Sequence, residues 1–111
     1  MTVTVLRFHV SDRAVIEEAF AQRGWLRQRY NCISARLLAN CESPDSLLVL
    51  LEFPTRADAQ AYVTESMFHL GGATIADMRD RVIGYYEELD SWPKVLPRHL
   101  YAGSGSGKPA V

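Results

Sequence analysis

Three histidines, His9, His69 and His99, are the side chains of this sequence that titrate near neutral pH and so suit general acid–base work. They share no metal-ligand spacing with one another. Cys32 and Cys41 form no CxxC pair and are too few for a disulfide framework, so both read as free thiols. The expectation is a protein that binds no metal, haem or flavin. His69 stands just before Gly71-Gly72, where glycines permit hinge motion. It is either the acid–base residue of a mobile lid or an exposed loop histidine. Tyr62 can stack on or hydrogen-bond an aromatic substrate, or simply pack the inner side of a helix. Met67 and Met78 offer adaptable pocket lining or core filling. His9 is either a base between sheets or an interface histidine facing a partner's carboxylate.

Other chemical signals fall away. Glu17-Glu18 and Glu87-Glu88 are adjacent pairs, and sequence neighbours do not share a helix face. They read as surface charges, as do Asp77, Arg79, Asp80 and Arg81 on a wet helix face. Trp25, Tyr30, Tyr85, Tyr86 and Trp92 read mostly as core or interface aromatics. No nucleophile elbow or HExxH run is present, and Ala102 spoils the GxxxxGK[ST] spacing before Lys108.

The elements that must position these residues can be read from periodicity. With 111 residues the chain is one domain's worth, able to bury a modest core. Residues 2–10 alternate as a strand. Ser11 offers an N-cap, with Asp12 in the first turn, and Val15, Ile16, Ala19, Phe20, Arg23, Leu26 and Tyr30 follow at helical spacing. One helix from about Asp12 to Gln28 is expected. Residues 33–39 and 47–53 make a hairpin across the turn Ser43-Pro44-Asp45. Thr55 with Asp58 resembles a capping box before a helix reaching about Ser66, which Gly71-Gly72 breaks. Ile75, Met78, Val82, Tyr85 or Tyr86, and Leu89 predict a longer helix from Ala73 to Leu89. Val95 to Tyr101 is the expected last strand, with Pro97 confining it to an edge. Residues 1–102 then form the domain and 103–111 a flexible tail.

The order β-α-β-β-α-β predicts an α+β, ferredoxin-like fold with a four-stranded antiparallel sheet. Its third strand is unusual: Leu47 to Leu51 leave neither face polar, so the second sheet face must also be covered. A second copy of the same sheet covers it most simply, which predicts an isologous homodimer with face-to-face sheets. A net charge of −1 gives no field to attract nucleic acid or an anionic membrane. No apolar run approaches the roughly 20 residues of a membrane span, and the first ten residues lack a signal-peptide core. A cytoplasmic protein is expected.

This layout resembles the dimeric α/β-barrel superfamily, and within it the antibiotic biosynthesis monooxygenase-like group. The resembling segments are VLRFHV at 5–10, CISARLLA at 32–39, LLVLLEFPTRADAQAYV at 47–63 and ESMFH at 65–69. The resemblance implies a cofactor-independent enzyme acting on aromatic polyketide-like molecules. It also implies a pocket lined by Leu6, Val49, Phe53 and Tyr62 and closed by residues 67–72. Cofactor-free monooxygenases of the group carry Asn where Leu6 and Val49 stand, Trp where Phe53 stands and, in some, His near Leu38. Haem-degrading members carry their ligand His near Gly72, and Tyr62 takes the place of a pocket Trp.

A pocket of Leu6, Val49 and Phe53 cannot donate hydrogen bonds to a developing anion. The expected function is therefore cyclisation or proton transfer on a hydrophobic, polyketide-like substrate. Tyr62 and His69 are the candidate catalytic residues; Leu6, Val49, Phe53, Met67 and Met78 are the candidate substrate contacts. Two alternatives stand beside it: a cofactor-free monooxygenase acting on a phenol or hydroquinone, and a non-catalytic ligand-binding or stress protein.

Overall fold

A computed structural model describes residues 1–93. The elements run β1 Thr2–His9, α1 Arg13–Gln22, α2 Gly24–Arg29, β2 Ser34–Ala39, β3 Ser46–Phe53, α3 Arg56–Phe68, α4 Gly72–Asp77 and β4 Arg79–Glu87. The four strands form one antiparallel sheet in the order β2-β3-β1-β4. This is the expected α+β, ferredoxin-like arrangement. Among the described residues no helix is long and apolar enough to cross a membrane.

Side-chain caps start the two longer helices: Thr55 caps α3 as expected, while α1 is capped by Asp12 and not by Ser11. The Asp12 carboxylate accepts from the Ala14 N–H at 3.2 Å, and the Thr55 hydroxyl from the Asp58 N–H at 3.1 Å. The long helix expected over 12–28 is instead two helices meeting at Arg23, whose backbone N–H turns back to the Phe20 carbonyl. Arg27 holds the broken end: its guanidinium donates to that same carbonyl at 2.8 Å and lies over the Phe20 ring.

A larger correction concerns residues 73–89. The expected helix is a six-residue helix followed by an edge strand, β4, which pairs with β1 from Thr2↔Glu87 to Arg7↔Val82. The β-branched and aromatic run Val82-Ile83-Gly84-Tyr85-Tyr86 suits a pleated surface, and pairing to β1 outweighs the helical spacing. Gly84 has a packing reason: a Cβ there would stand 2.6 Å from the Tyr86 ring. Arg79, Asp80 and Arg81 are therefore strand residues, not a helix face. Asp77 is not a free surface charge. It accepts from the N–H groups of Ser11 and Asp12 at 2.8 and 3.3 Å, which ties the end of α4 to the start of α1. Those bonds, led by the one from Ser11, hold its carboxyl below the usual aspartate value. The strand expected over 95–101 and the tail over 103–111 lie outside the described residues; β4 supplies the fourth strand.

β3 alternates strictly between half-buried and buried along its length. Leu47, Val49, Leu51 and Phe53 face the helices and pack with Phe8, Ile16, Leu26, Ala59 and Tyr62. The register Leu6↔Val49 and Thr4↔Leu51 puts Thr4, Leu6 and Phe8 on that same face. The opposite parity carries Val3, Val5, Leu48, Leu50, Leu38 and Val82, all half-exposed or exposed. Truncating Phe53, which is fully buried, leaves a void that this thin two-layer core cannot refill. Phe53→Ala is expected to lower unfolding stability by about 3–5 kcal/mol, measured by denaturant titration.

Candidate functional site

A cavity of about 80 Å³ lies between the sheet and the helices. Leu6, Val49 and Leu51 form its sheet side, Ile16 and Phe20 come from α1, and Tyr62, Val63, Ser66 and Met67 come from α3. Leu70 and Met78 line it from either side of α4. Its lining residues are apolar except for Tyr62, Ser66 and Arg23. That is the composition of a small-molecule pocket, mostly apolar with a few polar groups, at a volume well under the roughly 300 Å³ of such pockets, so an aromatic ligand enters only as the side chains around it move apart.

Of the residues singled out in the sequence, the structure brings Leu6, Val49, Tyr62, Met67 and Met78 together around this cavity. Phe53 and His69 are not part of its lining. Phe53 sits behind Tyr62, with ring centroids 5.5 Å apart, and braces that ring. The half-exposed His69 side chain belongs to a second, shallower depression with Tyr30, Glu65 and Phe68. Its Nε2 is 3.7 Å from the Glu65 carboxylate, and its ring meets Trp25 edge-on at 5.3 Å. What His69 offers the cavity is its backbone: its carbonyl accepts from Arg23 Nη2 at 2.7 Å.

Glu65 is the hub of that outer cluster. It accepts a short hydrogen bond from the Tyr30 hydroxyl and lies 3.8 Å from the Arg29 guanidinium. The bond to Glu65 pushes the Tyr30 phenol above its usual value. The same bond, helped by Arg29 and His69, holds the Glu65 carboxyl below its usual value. His9 pairs within its own chain, its Nδ1 lying 3.5 Å from Asp80 on β4. Cys32 is half-buried, and burial raises its thiol; Cys41 is exposed. Among the described residues no three histidine, cysteine or acidic side chains converge on a point where a metal could sit.

Sequence reasoning passed over Arg23 and Ser66 as site residues. Arg23 did carry a signal: it is the one cation in the stripe Ile16, Ala19, Phe20, Arg23, Leu26. Ser66 carried none, because a lone serine on a helix is ordinary.

No protein-family model matches the chain, and no curated protein sequence matches it. Solved structures do. One is an antibiotic biosynthesis monooxygenase, 16% identical, covering 81% of this chain and 100% of its own, with a TM-score of 0.65. Another is SnoaB, a cofactor-independent oxygenase from Streptomyces nogalater, 15% identical over 84% of this chain and 97% of its own, with a TM-score of 0.68. The chain has the fold of the antibiotic biosynthesis monooxygenases. Rv0793 from Mycobacterium tuberculosis shares it at 13% identity and a TM-score of 0.62, over 82% of this chain and 97% of its own. At such identities the likeness speaks for the fold, and the cavity must speak for the chemistry.

The Tyr30–Glu65 bond gives a pH dependence whose sign follows from the two shifts. A carboxyl lowered in the folded state stabilises above its unfolded value and loses that contribution as pH falls through its folded value. A phenol raised in the folded state contributes below its unfolded value and loses it as pH rises through its folded value. Tyr30→Phe is therefore expected to destabilise most between the usual carboxylate and phenol ranges, with the difference from the parent shrinking toward acid and toward strong base. Thermal unfolding of both proteins across pH checks this.

Proposed function

We propose that the protein is a cofactor-independent enzyme that binds a hydrophobic aromatic, polyketide-like molecule in the cavity over Leu6 and Val49. There it guides cyclisation or proton transfer. The observation that carries the reading is an apolar cavity whose polar lining residues, among those described, are Tyr62, Ser66 and Arg23. Apolar walls can hold a flexible or planar substrate in one reactive conformer, which removes orientational entropy from the step. Tyr62 is the proton donor or acceptor at the substrate, because it lines the cavity with a titratable side chain while Phe53 braces its ring. His69 serves by position, through the carbonyl that holds Arg23.

A second reading is supported by the likeness to SnoaB, described as a cofactor-independent oxygenase. In it, the substrate's own phenolate or hydroquinone carbanion reduces oxygen, and the cavity stabilises that anion. Leu6 and Val49, which stand where the resembling oxygenases carry Asn, donate no hydrogen bond, so in this reading the anion would have to rest on Arg23, Tyr62 or Ser66. The test is product analysis with two substrates, an open-chain poly-β-ketone bearing one aromatic ring, which can cyclise, and a naphthol, which can only be oxidised. A product isomeric with its substrate, or lighter by one water, supports cyclisation or proton transfer. Oxygen uptake with a product that has gained oxygen moves the function to the second reading. Tyr62→Phe is expected to lower turnover by about a hundredfold or more with ligand binding retained.

The assembly proposed with this function is a homodimer, placed in the cytoplasm. Its sheets face each other through Val3, Val5, Leu48 and Leu50. These residues line the sheet face opposite the core, and Arg36 and Glu52 share it, so a twofold copy can meet both apolar and charged complements. Leu50→Asp is expected to shift the parent dimer to monomer in analytical ultracentrifugation, because an unpaired charge would be buried between the sheets. A parent protein that sediments as a stable monomer at micromolar concentration would overturn the dimer.

A further inference from the structure

Among the described residues, Arg23 is a cation with no ion-pair partner, set among apolar side chains. The one hydrogen bond its side chain makes within the described residues runs from Nη2 to the His69 carbonyl. Its Nε is shut off from water and donates to nothing. The ion pairs of the described residues join His9–Asp80, Arg13–Glu17, Arg29–Glu65 and His69–Glu65, and none reaches Arg23. Yet Arg23 lines the cavity beside Phe20, Met67 and Leu70. Partly buried guanidinium groups are normally paired, because leaving one unpaired in an apolar setting is costly. Nearby Arg27 shows the ordinary solution, with its guanidinium used on the Phe20 carbonyl and ring.

Position reinforces the point. Arg23 is the residue where the first helical region breaks, which leaves it held at its backbone by the Phe20 carbonyl and at its head by the His69 carbonyl. A side chain anchored at both ends loses little freedom when it meets a ligand. The guanidinium's planar fork matches a carboxylate or phenolate oxygen, and in surroundings of low polarity such a charge-assisted bond is strong.

We infer that Arg23 is the anion-recognising residue of the cavity, so that its ligand joins an apolar aromatic body to a carboxylate or phenolate placed against the Arg23 guanidinium. This rests on the proposed cavity function and adds the ligand's charge to it. The inference excludes neutral hydrocarbons and cationic aromatics as preferred occupants.

Calorimetric titration of the full chain with a matched pair, 2-naphthoate and 2-naphthamide, tests it at a pH where naphthoate is ionised. The expected result is naphthoate binding tighter by about tenfold or more, the scale of one charge-assisted hydrogen bond. Arg23→Gln is expected to erase that preference while naphthamide binding stays; Arg23→Lys, which keeps the charge, is expected to retain part of it. A purely structural role for Arg23 would weaken both compounds alike and leave their ratio unchanged in Arg23→Gln, which overturns the inference. Equal binding of the two compounds to the parent protein also overturns it and leaves the cavity reading standing. Binding of neither compound removes the cavity reading and the inference with it.

Discussion

The arrangement depends on the register in which β1 lies against β3, with Leu6 opposite Val49. Side chains on a strand alternate between faces, so this pairing decides at one stroke which residues meet the helices. A slip of β1 by one residue against β3 would send Arg7 inward and turn Leu6 away from α1 and α3. The register is held by eight successive pairs from Thr2↔Phe53 to His9↔Ser46. It is fixed energetically by Phe8, Leu47, Leu51 and Phe53, all essentially inaccessible to water. The cavity over Leu6 and Val49 is thus set by the central strand pair, the most constrained part of the sheet, which suits a site that must hold its shape.

Above that sheet the first helical region is broken, and the break gives the cavity its cation, Arg23, while Tyr62 and Ser66 come from within α3. A continuous helix through residue 23 would spend the Phe20 carbonyl on the backbone N–H four residues on. At the observed break that carbonyl takes the Arg23 N–H and the Arg27 guanidinium instead. The second break, between α3 and α4, places Leu70 and Met78 around the same space that Arg23 lines. Gly71 and Gly72 have open space where a Cβ would stand, so no close approach demands glycine at either position. Their role is backbone freedom between two helices, the property a lid needs.

Much of this was legible in the sequence. β1, β2, β3 and the start of α3 follow from alternation, a turn cluster and an N-cap threonine. The apolar run Leu47 to Leu51 correctly marked a strand whose second face is also greasy. The stretch 73–89 misled because Ile75, Met78, Val82 and Leu89 keep helical spacing across what is a short helix joined to an edge strand. Periodicity cannot separate these, since both faces of β4 are largely exposed and carry no clean two-residue alternation of polarity. The β-branched and aromatic content of residues 82–86 was the better guide. At the site, the apolar lining was legible by parity along β1 and β3. The side-chain direction of His69 was not, because it depends on how α3 ends against Trp25 and Glu65, a tertiary contact that no local pattern encodes.

His69 drew notice because its type suits proton transfer, yet the atom it gives the cavity is one every residue has, a backbone carbonyl. Its imidazole is occupied with Glu65 and Trp25 on the outer side of α3. That division couples the two regions. The outer cluster of Tyr30, Glu65 and His69 holds the end of α3, the end of α3 presents the His69 carbonyl, and the carbonyl holds the one cation of the cavity. Under the proposed function, a change in the outer cluster would reach the ligand through the position of Arg23 rather than through a proton. Such a change should alter how anionic ligands bind before it alters the chemical step, because Tyr62 is braced independently by Phe53 from the sheet. Recognition and chemistry would then rest on separate supports: a helix junction for the charge, the central strands for the hydroxyl.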